Sequence, residues 1–67
     1  MFWLETEKAK QLGVQYEIRT GAGMTTINVY KDGEAIDCFT INKNVTADEA
    51  LAHIEEWEAY YKEAYNE

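Results

Sequence analysis

The tetrapeptide Lys31-Asp32-Gly33-Glu34 constrains this chain more than any other segment. Asp-Gly between two runs of β-forming residues is the signal for a two-residue type I′ hairpin, whose mirror-image turn matches the right-handed twist of its strands. A two-residue turn fixes register, and a slip of one position would send every side chain to the opposite face. Counting back from the turn pairs Lys31 with Glu34, Tyr30 with Ala35, Val29 with Ile36, Ile27 with Cys38 and Thr26 with Phe39. The pairing sets opposite charges across from one another and collects Ile27, Val29, Ile36 and Cys38 on one face. Upstream, Val14–Arg19 alternates Val14, Tyr16 and Ile18 with Gln15, Glu17 and Arg19, the pattern of a half-buried strand. Thr20-Gly21-Ala22-Gly23 joins it to Met24–Tyr30.

The last third is expected to be a helix. Thr46 suits an N-cap, Glu49 three residues on completes a capping box, and Val45 can staple onto Ala50. Asp48 and Glu49 complement the positive end of the helix dipole. Ala47, Ala50, Leu51, Ile54, Trp57 and Tyr61 then recur at three-and-four spacing and share one face. Phe2–Leu12 is rich in helix formers, and Gly13 would end a helix there. The expected fold class is therefore α+β, in a single domain over residues 1–67. A three-stranded antiparallel meander carries the C-terminal helix across one face, with a short N-terminal helix in the order α-β-β-β-α. The opposite face would gather Met24, Thr26, Tyr30, Ala35, Phe39 and Ile41, too apolar to stand in water. Either the N-terminal helix or a second chain should cover it.

Charge is unevenly spread. Of the formal net −7, residues 1–44 hold only −1, with six acids and five bases. Residues 45–67 hold seven acids against Lys62 alone, a net of −6. No basic patch exists to attract a nucleic-acid backbone or an anionic membrane. No apolar run is long enough to span a bilayer, and MFWLETEKAK lacks the basic-then-apolar order of a signal peptide. A cytoplasmic, reducing setting is expected, where Cys38, the sole cysteine, has no disulfide partner in the chain.

Sites for chemistry are scarce. A nucleophilic centre would need a thiolate, a base and an orienting group, and Cys38 with His53 is the only pair available. The turn-derived register points Cys38 into the core, where free cysteines usually reside. Gly21-Ala22-Gly23 lacks the lysine, the third glycine and the following helix of a phosphate loop, and reads as a hairpin connection. Asp48, Glu49 and His53 fit neither a calcium loop nor an HExxH zinc pattern. No enzyme activity, metal or cofactor is expected.

The richer signal is the acidic and aromatic surface of the helix: Asp48, Glu55, Glu56, Glu58, Tyr60, Glu63 and Tyr65. Tyrosine offers a large contact area at low entropic cost and is enriched at interfaces, although snorkelling tyrosines on a solvated helix would look the same. Carboxylates a few ångströms apart mimic the spacing of nucleic-acid phosphates and could occupy a cationic channel. With the Glu55-Glu56, Glu58 and Glu63 face and its small size, the chain resembles the small acidic inhibitors encoded by phages and mobile elements, anti-CRISPR proteins and DNA mimics among them. These share no motif, so no residue role carries over. The resemblance implies a protein partner with a basic surface, a nucleic-acid-binding host effector blocked electrostatically or sterically, with no direct binding of nucleic acid or membrane. The alternative is a structural or regulatory dimer using Met24, Tyr30, Phe39 and Ile41 as its seam. Monomer and homodimer both remain open.

Overall fold

The computed structural model describes the backbone of residues 1–65 and the side chains of residues 1–61. Its elements are β1 (Phe2–Leu4), α1 (Glu7–Leu12), β2 (Val14–Gly21), β3 (Met24–Lys31), β4 (Glu34–Ile41) and α2 (Ala47–Tyr65). The strands form one antiparallel sheet in the order β1-β2-β3-β4, so the fold is α+β with four strands instead of the three expected.

The extra strand comes out of the segment expected to be entirely helical. Phe2, Trp3 and Leu4 pair with Ile18, Glu17 and Tyr16. Strand alternation sends Phe2 and Leu4 toward the core and Trp3 to the other face, an arrangement that a helix through Trp3 could not give. Thr6, extended at φ −121°, then caps α1, its hydroxyl accepting from the Ala9 amide at 2.9 Å. Gly13 ends α1 as anticipated, in the left-handed region at φ 75°, its amide bonded to the Ala9 carbonyl at 2.8 Å.

Both hairpins close on two residues at positive φ, Asp32-Gly33 (54° and 80°) and Ala22-Gly23 (56° and 76°). Lys31 faces Glu34 and Tyr30 faces Ala35, as the turn dictates. Beyond that point the turn-derived register fails. A bulge opposite Val29/Tyr30 takes Ile36 out of the ladder, so that Val29 faces Asp37, Asn28 faces Cys38 and Ile27 faces Phe39. The alternation of β4 offers two faces, Ile36 with Cys38 or Phe39 with Ile41. The second pair carries more apolar area, and the one inserted residue turns it toward the helices. Phe39 and Ile41 accordingly pack against the core, whereas Ile36 is 41% exposed and Cys38 is exposed.

The core lies between the sheet and the two helices, with Tyr16, Ile18, Ile27, Val29, Ala50 and Ile54 fully buried. Ala9 belongs to the same cluster and Thr6 bonds to Glu58 of α2, so α1 shares the helix side of the sheet. It does not cover the other face. That face is also not the apolar one expected, because Phe39 and Ile41 have left it and Met24 stands exposed at the end of β3. It presents Trp3 against Tyr30, ring centroids 5.8 Å apart, beside Glu17, which accepts from Arg19 at 3.2 Å and Asn28 at 3.1 Å. Burial by itself would raise the Glu17 carboxyl, but the Asn28 and Arg19 donors, the Arg19 charge and the Tyr30 hydroxyl outweigh it and lower its pKa.

Candidate partner-docking surface

The start of α2 is aimed by a buried hydroxyl. Thr25 donates to the Lys43 carbonyl at 2.8 Å and accepts from the Val45 amide at 3.1 Å, pinning the loop before the helix to β3. The capping box then forms in both directions, with the Thr46 amide on Glu49 Oε1 at 3.0 Å and the Glu49 amide on Thr46 Oγ1 at 3.2 Å. Glu49 Oε2 takes Lys43 Nζ at 2.9 Å, and with the Thr46 amide this holds its carboxyl below the usual glutamate value. Glu49 is thereby committed to local structure.

With α2 seated, its acidic residues divide. Asp48, Glu55 and Glu56 are exposed and form no ion pair with any described residue. Asp48 and Glu55, two turns apart, stand roughly 10 Å from each other along the outer face. Glu58 does not join them. It is 6% exposed and turned inward, accepting the Tyr16 phenol at 2.6 Å and the Thr6 hydroxyl on the same oxygen, Oε2. The helical period carries position 58 round to the side that meets β2 and α1, where these two hydroxyls replace water. Burial, followed by the hydrogen bond to Glu58, pushes the Tyr16 phenol far above its ordinary range. Glu63 and Tyr65 lie outside the described side chains.

The aromatic residues divide in the same way. Trp57 is buried edge-on against Tyr16 and stacked on Tyr61, at centroid distances of 5.8 and 4.7 Å. Its indole donates to Asp37 Oδ2 at 2.7 Å, and Oδ1 of the same carboxylate accepts the Cys38 amide at 2.8 Å. Tyr60 is 62% exposed. Between β4 and α2 runs a cleft with two shallow depressions that share Asp37 and Trp57. One continues to Ile36 and Tyr61, the other to Phe39, His53, Glu56 and Tyr60.

The structure thus brings Glu56 and Tyr60 together at the cleft, keeps Asp48 and Glu55 on the adjoining outer face, and withdraws Glu58. Of the proposed dimer seam, Tyr30 stays on the open sheet face while Phe39 and Ile41 pack on the helix side, so the four residues do not share a surface. Asp37 is a cleft residue that sequence reasoning passed over, and His53, weighed there only for catalysis and metal binding, lines the same cleft. The alternation of Asp37, Phe39 and Ile41 was the available signal for Asp37, hidden by the register counted from the turn. Among the described residues no group of three His, Cys, Asp or Glu converges as a metal site, and no helix is long and apolar enough to cross a membrane. Comparison with protein-family models, with curated proteins and with solved structures finds no match.

Proposed function

We propose that the protein is a small acidic interaction module that docks on a basic surface of a protein partner through α2 and the cleft beside β4. As an inhibitor, it would occlude a nucleic-acid-binding effector by charge and bulk, in the manner of DNA mimics and anti-CRISPR proteins. The observation that carries this reading is the coincidence of unpaired Asp48, Glu55 and Glu56 with an aromatic cleft, on a helix whose described side chains include no lysine or arginine. Like-charged side chains left unpaired on one surface gain when a complementary surface arrives, and they speed its arrival by steering. Cys38, exposed and unpaired, suits a reducing compartment such as the cytoplasm. No enzymatic step enters the proposal.

The test compares capture of host proteins by the wild type and by an Asp48→Lys/Glu55→Lys variant over a salt series. Captured effectors are then assayed for nucleic-acid binding with the protein present and absent. The expected outcome is a partner lost on charge reversal and at high salt, whose nucleic-acid binding is competed away. Capture indifferent to both charge and salt, or an effector that still binds nucleic acid normally, removes the reading.

A further inference from the structure

We infer that the cleft between β4 and α2 is a seat for one arginine side chain of the partner. This rests on the interaction reading above and specifies what the partner must present. The larger of the two depressions measures about 280 Å³. Small-molecule sites run from roughly 300 to 1,000 Å³, so this one is scaled to a single side chain.

Its walls suit a cation with a flat, weakly hydrated head. Phe39 and Trp57 supply an aromatic floor, Tyr60 an exposed ring at the mouth, and Asp37 and Glu56 a carboxylate each. Among the described residues no lysine or arginine lines either depression. Asp37 is held in place by Trp57 and the Cys38 amide with one bond to each oxygen, and a carboxylate oxygen keeps further lone-pair capacity after one bond. Glu56 has no ion-pair partner among the described residues. An arginine could lay its methylenes on the apolar floor, stack its guanidinium on Tyr60 and donate to both carboxylates at once. Lysine, a compact and strongly hydrated point charge, cannot do all three. A second copy of this chain is the competing occupant. It has a single arginine, Arg19, already held by Glu17 on the open sheet face.

The experiment titrates an acetyl-Gly-Arg-Gly-amide peptide into the ¹⁵N-labelled protein, beside its lysine and citrulline counterparts. The Trp57 indole signal is identified by its persistence in Trp3→Phe. Saturable shifts of the Trp57 indole and the Tyr60 and Glu56 amides are expected with the arginine peptide, the same shifts at about fivefold weaker affinity with the lysine peptide, and none with the citrulline peptide. Glu56→Gln and Tyr60→Ala change exposed residues, so the fold should survive, and each should weaken binding by about fivefold. Equal response to citrulline, shifts spread evenly along α2, or indifference to both variants would overturn the seat. So would concentration-dependent self-association abolished by Arg19→Lys, which would assign the cleft to a second copy. The two readings fail separately. Partner capture lost in Asp48→Lys/Glu55→Lys but unchanged in Tyr60→Ala leaves the docking reading and removes the arginine seat. An arginine-selective cleft in a protein whose capture ignores charge reversal does the opposite.

Discussion

Glu58 has the most consequential position of any single side chain. It is one of the acids in the helical face that the sequence suggests, yet it fastens three segments, with Tyr16 from β2 and Thr6 from the β1–α1 turn both donating to it. Removing it would take away the carboxylate oxygen that now accepts from both the buried Tyr16 phenol and the Thr6 hydroxyl. Glu58→Ala should therefore destabilise the protein by about 2 kcal/mol in urea unfolding, and Glu55→Ala, which is exposed, by less than about 0.5 kcal/mol. Similar losses at both positions would refute the latch. Titration provides a second test. The folded-state pKa of Glu49 is depressed, so its contribution to stability is present above the ordinary glutamate value and is lost as pH falls through the lowered one. Its carboxyl resonance should titrate below that of a free glutamate, and Lys43→Met should move the midpoint upward. Tyr16 works in the other direction. Its phenol is raised when folded, so stability is full below the ordinary value of 10.0 and is lost as pH climbs above it, visible as a falling melting temperature absent in Tyr16→Phe.

At the level of elements, β4 shows how two local rules compete. The Asp32-Gly33 turn sets the first pairs, Lys31–Glu34 and Tyr30–Ala35, and hydrophobic burial then overrides the register by extruding Ile36. Deleting Ile36 should keep Val29–Asp37 and every later pair in place, and the protein should stay folded. Inserting an alanine after Asp37 turns Phe39 and Ile41 away from the core and should cost about 3 kcal/mol, judged by urea midpoints and by loss of Phe39 contacts in NMR. If the insertion proves harmless, burial of these two residues does not set the register. In the other hairpin, Ala22 sits at φ 56°, a region that alanine enters at a cost. Ala22→Asn, giving Asn-Gly, should stabilise the protein by about 0.5–1 kcal/mol in thermal melts.

Across the molecule, the sheet separates two surfaces of different character. The helix side carries the core, the acidic exterior of α2 and the cleft; the other side is a polar network around Glu17 with one aromatic pair, Trp3 and Tyr30. Nothing described covers this second face, yet its charged and amide groups satisfy one another and the bulge with Asp37 blunts the β4 edge. Net charge governs the response to salt. Repulsion among the acids of α2 is screened within about 10 Å at 0.1 M salt, so raising salt should increase the melting temperature of the isolated protein while weakening its hold on a basic partner. A melting temperature indifferent to salt would mean that the acids of α2 do not repel one another appreciably.

Local signals were enough for what local forces decide. The sequence by itself determined the capped start of α2, the Gly13 stop, the Asp32-Gly33 turn, the Tyr16–Ile18 strand and the concentration of negative charge on the last third, since each depends on neighbours a few residues apart. Only the tertiary structure decided that Phe2–Leu4 is a strand, because an open β2 edge had to be filled and Phe2 and Leu4 had to reach the core. It also decided which face of β4 is buried, because the two candidate faces differ only in how much area they offer to helices distant in sequence. Glu58 was unreadable for the same reason: a carboxylate can go inside only where donors such as Tyr16 and Thr6, 42 and 52 positions away, arrive to replace its water.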